Sequence, residues 1–138
     1  MKTYMPLGIY SITAAAALTK NLFVGLTGDV CAANAKALGV CDTDTAITEQ
    51  CPVVTHGIAL VTSGAAFNAG DALVSNSAGK AIAATTLSAT VPSTGTAVTS
   101  SSAQPAMTIA GSVLPQVILG YALDTVSAAD LTARILLV

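Results

Sequence analysis

Every apolar run in this 138-residue chain is short, and turn residues close each one. The runs are rich in Val, Ile, Leu and Ala, while Gly, Asp, Asn, Ser or Pro bound them. A buried helix needs a period near 3.6 residues sustained over ten or more positions, and no segment keeps one. Short runs separated by turn residues are instead the signature of strands, so the expected fold class is all-β. The pattern predicts strands at residues 22–26, 38–41, 51–54, 57–62, 72–75, 81–83, 117–123 and 133–138. Alanine propensity allows a helical turn over residues 14–20, but the β-branched and glycine residues around it oppose a long helix.

Two of these stretches resemble each other. Leu38-Gly39-Val40-Cys41-Asp42-Thr43, continuing to Val54, aligns with Leu119-Gly120-Tyr121-Ala122-Leu123-Asp124-Thr125, running to Val138, with one residue of slip. Both read strand, Asp-Thr turn, strand. Upstream, Gly28-Asp29-Val30 with Asn34 echoes Gly70-Asp71-Ala72 with Asn76. Two related β units are expected, at about residues 21–56 and 63–138, packed as one domain over 21–138 because neither alone buries enough surface. Gly28, Asp29, Gly39, Gly70, Asp71, Gly79 and Gly120 are read as turn residues between apolar runs. A phosphate-binding loop would need a glycine cluster opening a helix, which the sequence lacks. Residues 84–111 change texture, with Ser93-Thr94-Gly95-Thr96, Thr99-Ser100-Ser101-Ser102, Pro92 and Pro105. This Ser/Thr-rich insert reads as an exposed excursion, either functional or simply tolerated.

Composition narrows the partners. Only 9% of residues are charged and mean hydropathy is +0.73, so the polar coat is thin and part of the apolar surface should meet other protein. A net charge of -2, the absence of a basic run and 4% aromatic residues argue against nucleic acid. No run approaches the roughly 20 apolar residues of a spanning helix, so no membrane partner is expected. Lys2 and the stretch from Met5 to Leu18 loosely imitate a signal peptide, but Pro6, Gly8, Ser11 and Thr13 interrupt it. Residues 1–20 are therefore read as an extended N-terminal arm. Tyr4, Met5, Leu7, Ile9, Tyr10 and Ile12 give it apolar groups to dock on a neighbour's sheet edge; an ordinary first strand of the same domain is the other reading.

Chemistry is sparse. Cys31, Cys41 and Cys51 recur every ten residues, an odd set with no close pair, and read as small buried hydrophobes rather than a disulfide framework or zinc knuckle. His56, the single histidine, would need Cys41 or Cys51 in contact plus an orienting group to act in catalysis. Asp42-Thr43-Asp44-Thr45 opens like a calcium loop, but Ile47 and Val53 stand where glycine and a bidentate glutamate belong, leaving Asp42, Asp44 and Glu49 as a solvated acidic turn. No catalytic residue, metal site or cofactor is expected, and the chain is not expected to be an enzyme.

Gly57-Ile58-Ala59-Leu60-Val61-Thr62-Ser63-Gly64, then Ala69-Gly70-Asp71-Ala72-Leu73-Val74, Ala78-Gly79-Lys80-Ala81, Ile118-Leu119-Gly120-Tyr121-Ala122-Leu123 and Ala133-Arg134-Ile135-Leu136-Leu137-Val138 follow one another in an order that resembles the tailed-phage capsid cement, or decoration, protein family. The resemblance covers most of residues 22–138. Ser127-Ala128-Ala129-Asp130 departs from it, standing where a glycine-bearing turn is expected, and the insert has no counterpart. It implies a small β-barrel-like module on the outer surface of a virion, made in the host cytoplasm. It also implies a homotrimer bound to the major capsid protein, holding capsomers together against the pressure of packaged DNA. A secreted or surface-exposed pilus or surface-layer subunit is the alternative.

Overall fold

The computed structural model describes residues 2–85 and 116–138. Among them lie eight strands and no helix: β1 (Met5–Thr13), β2 (Phe23–Gly25), β3 (Ala37–Cys41), β4 (Gln50–Thr62), β5 (Ala72–Ser75), β6 (Ala81–Ala83), β7 (Gly120–Ala122) and β8 (Thr132–Leu137). The chain is all-β. Residues 14–20, credited with a helical turn, run irregularly and bridge Leu18 to Thr45. The predicted strands 51–54 and 57–62 are one strand, β4, because Gly57 carries the chain through an irregularity instead of a turn. Its φ is 97°, and a Cβ there would lie 2.4 Å from the Met5 carbonyl oxygen, so only glycine passes. The expected insert lies almost wholly outside the described residues.

The strands form one antiparallel path, β2-β3-β4-β8-β7-β5-β6, with β1 added to β4. Its two ends approach each other, Phe23 N–H donating to the Gly79 carbonyl in the β5–β6 turn at 2.8 Å, and just past β4 Gly64 N–H donates to Ala81 O of β6 at 2.7 Å. The sheet thus curls into a nearly closed barrel. Phe23, Val40, Val54, Val61, Leu73 and Ile135 fill it, each side chain contributing about 1.5–3 kcal/mol on burial. A second cluster, Leu18, Val24, Cys41, Cys51 and Val53 with Ile12 against it, covers the opposite face of β2, β3 and the first part of β4.

One hydrogen-bonding plan occurs twice. Ala14 N–H donates to Glu49 O as Ser63 N–H does to Leu131 O, and Leu18 exchanges bonds with Thr45 as Phe67 does with Val126. Asn21 N–H reaches Cys41 O as Gly70 N–H reaches Ala122 O, with Asn21 and Gly70 both at left-handed φ. Thr48 and Asp130, donors to Ala14 O and Ser63 O, share that conformation. Side chains follow suit: Asp44 Oδ1 accepts Lys20 N–H at 2.8 Å where Thr125 Oγ1 accepts Ala69 N–H at 3.1 Å. The ladders match as well, Tyr10↔Val53 and Thr13↔Gln50 in one half against Ala59↔Ile135 and Thr62↔Thr132 in the other.

This correspondence revises three expectations. Residues 5–13 are not a detached arm: β1 stands on β4 as the 58–62 stretch of β4 stands on β8, and Ile12 packs into the second cluster. Gly28 is not the counterpart of Gly70, since it sits in the turn after β2 while Gly70 precedes β5; Asn21 holds the matching place. Gly39 and Gly120 are strand residues, not turn residues. A Cβ would lie 2.1 Å from Val54 O at the first and 2.3 Å from Leu136 O at the second, so each is dictated by close backbone approach. Gly28 and Gly79 are turn glycines, and Asp29 and Asp71 sit in turns, where their carboxylates accept the Thr27 hydroxyl and the Asn68 N–H.

Candidate functional site

Side chains opposite one another on neighbouring strands share a face. In β8, Ala133 and Ile135 enter the barrel, so Leu136 points outward; in β7, Ala122 enters and Tyr121 points outward; in β4, Ala59 enters and Ile58 points outward. The register sets these outward residues in a row: Met5 opposite Ile58, Ile58 opposite Leu136, and Leu136 opposite Tyr121. An apolar stripe therefore crosses β1, β4, β8 and β7. Met5 is 59%, Leu136 42% and Tyr121 45% exposed, and Ile58 is half-buried between them. Contiguous exposed apolar residues are the kind of surface that interaction sites present.

Five of the six apolar residues expected to bind a partner, Tyr4, Met5, Leu7, Ile9 and Tyr10, are exposed, with Leu7 at 77%. Ile12 is half-buried against the second cluster. Only Met5 has a place in the stripe's register. Tyr10 instead lines a cleft of about 400 Å³ with Leu26, Lys36, Leu38, His56 and Val138. Sequence reading missed Leu136 and Tyr121 because Ile135-Leu136-Leu137 is apolar at both parities, which hides the outward face. The parity of Tyr121 between Gly120 and Ala122 was the available signal.

An ion cluster fixes the start of β1 beside this face. Asp124 receives Arg134 Nη2 at 2.7 Å and Nε at 3.2 Å, accepts the Arg134 backbone N–H at 2.9 Å, and pairs with Lys2 Nζ at 3.2 Å. Lys2 also donates to Thr132 O. The Arg134 guanidinium, helped by Lys2, holds the Asp124 carboxyl well below the usual carboxylate range.

The candidate chemical groups are scattered. His56 is exposed, its Nδ1 3.0 Å from Thr55 Oγ1, while Cys41 and Cys51 lie fully buried in the second cluster. Asp44 and Glu49 accept the backbone N–H groups of Lys20 and Ala46, as turn residues do. No cluster of three or more metal-ligating side chains occurs among the described residues. The cysteines do hold a surprise: Cys41 Sγ and Cys51 Sγ are 2.9 Å apart.

An all-β barrel with an apolar outer face suits a protein that acts by docking. The sequence matches the phage cement protein family over residues 8–137. The chain belongs to the phage cement protein family. Among solved structures, the N base of head fiber gp8.5 in bacteriophage phi29 is similar in fold, with a TM-score of 0.62 and 14% identity over 95% of this chain and 93% of that one. No curated protein matches. The cement family places the protein in the phage virion as a structural, capsid-decorating component, and nothing supports the pilus or surface-layer alternative.

Proposed function

We propose that this cement protein sits on the outside of the phage head and docks on the major capsid protein through the Met5–Ile58–Leu136–Tyr121 stripe, with the exposed Tyr4, Leu7 and Ile9 extending the contact. The observation that carries this reading is the register that lines up four apolar residues on one outward face. Burying that face against the shell removes apolar area from water, and many subunits engaged at once need only modest affinity each. A subunit spanning a capsomer boundary adds interface that must break before capsomers separate, which resists the outward pressure of packaged DNA. Three copies around a threefold axis is the arrangement the family resemblance implies, and the role is mechanical, with no catalysis.

The test is co-sedimentation of the protein with undecorated heads. Leu136→Asp places a charge on the outward face and should weaken binding at least about tenfold while leaving the melting temperature nearly unchanged. Heads carrying wild-type protein should release DNA at a higher temperature than bare heads. Wild-type binding by Leu136→Asp would sink the assignment of this face, and equal heat stability of bare and decorated heads would sink the mechanical role.

A further inference from the structure

Cys41 closes β3 and Cys51 is the second residue of β4, so the two cysteines bracket the loop that joins these paired strands. Both are fully buried, and their sulfurs stand 2.9 Å apart. A disulfide needs about 2.05 Å, so forming one takes a closure of about 0.9 Å. A tetrahedral metal bound to both thiolates at about 2.3 Å would hold them about 3.8 Å apart, so the spacing favours a covalent bond over a metal. Cys31 belongs to the other core cluster, its sulfur facing Ala32 O and Ala35 O. We infer that Cys41 and Cys51 are a latent disulfide site that locks the β3–β4 hairpin once the protein leaves a reducing compartment. This inference stands apart from the docking face and survives its failure.

The oxidant is a low-molecular-weight disulfide of the glutathione class. One cysteine, as thiolate, attacks it and expels one small thiolate, forming a mixed disulfide; the second cysteine attacks that sulfur and expels the other. The two protein thiols give up two protons and two electrons, and the oxidant leaves as two thiols. Burial, with Cys51 alongside, raises the Cys41 thiol well above the ordinary range, so the reaction waits on opening of the 42–49 loop.

The experiment uses the full chain, purified reduced and then incubated with oxidised glutathione, once folded and once during refolding from denaturant. The expected product has lost about 2 Da, keeps one titratable thiol on Cys31, and yields a peptide joining Cys41 to Cys51. Its melting temperature should rise by on the order of 10 °C, a gain reversed by reductant and absent from Cys41→Ala/Cys51→Ala. Three free thiols after the refolding arm, a bridge that includes Cys31, or a stable glutathione adduct would each overturn the site. A Cys41–Cys51 bridge without a rise in melting temperature would overturn the lock.

Discussion

Val40 and Val54 in the first half occupy the places that Tyr121 and Leu136 occupy in the second, cross-strand partners on adjoining strands in both cases. The first pair is 2% exposed at each position, whereas the second lies open to solvent. The first half turns this face into the barrel and covers its other face with the second cluster, so β2, β3 and the start of β4 are buried on both sides. The second half turns its opposite face inward and leaves Tyr121 and Leu136 outside. One plan of strands therefore supplies a fully enclosed half and a half with a spare apolar surface. The equivalent core positions are filled differently as well: Leu18, Val24, Cys41, Cys51 and Val53 stand where Phe67, Leu73, Ala122, Ala133 and Ile135 stand.

The most severe way to break this comparison is to delete residues 1–12. If β1 is to its half what residues 58–62 are to theirs, the deletion removes most of the β1–β4 ladder and takes Ile12 off the second cluster, and should cost about 3–5 kcal/mol in urea unfolding. A truncated chain as stable as the full one would return β1 to the status of a loose arm. Gly39→Ala and Gly120→Ala come next. Each drives a Cβ into a carbonyl oxygen, and each should cost about 2–3 kcal/mol in the same measurement; a marked inequality would mean that the close approaches are not equivalent.

Asp124→Asn should cost about 1–2 kcal/mol at neutral pH, because the bidentate Arg134 contact and the Lys2 pair lose their charge. With its folded pKa depressed, Asp124 stabilises the native state fully above the unfolded value near about pH 3.9, and that contribution fades as pH falls through the folded value. Urea midpoints of the wild type should therefore drop on the acid side more steeply than those of Asp124→Asn. Parallel curves would show that the cluster adds nothing. The smallest and sharpest comparison pairs Asp44→Ala with Thr125→Ala, which remove matching acceptors from Lys20 and Ala69 N–H and should each cost about 0.5–1 kcal/mol in urea unfolding.

Much of the ladder was legible because strand signals are local. Residues 72–75 and 81–83 are strands in the sequence reading and in the fold, bounded by Gly70-Asp71 and Gly79. What sequence could not supply was register. The Met5–Leu136 alignment depends on which residues of β1 and β8 meet β4, a pairing of segments far apart in the chain. The cysteine pair escaped for the same reason: a ten-residue spacing carries no sign that a hairpin brings Cys41 and Cys51 together. Residues 5–13 left arm and first strand both open, because exposed apolar groups look alike on a free arm and on a paired strand whose outer face is bare.

β4 belongs to both halves at once: residues 50–58 pair with β1 and residues 58–62 with β8. A pull along this strand loads both ladders in shear, and many hydrogen bonds must then yield together instead of one after another. Neither half can slide away while the other holds. If the protein is loaded in the way proposed above, the thirteen-residue strand would act as a tie-rod between the two ladders, with no loop between them.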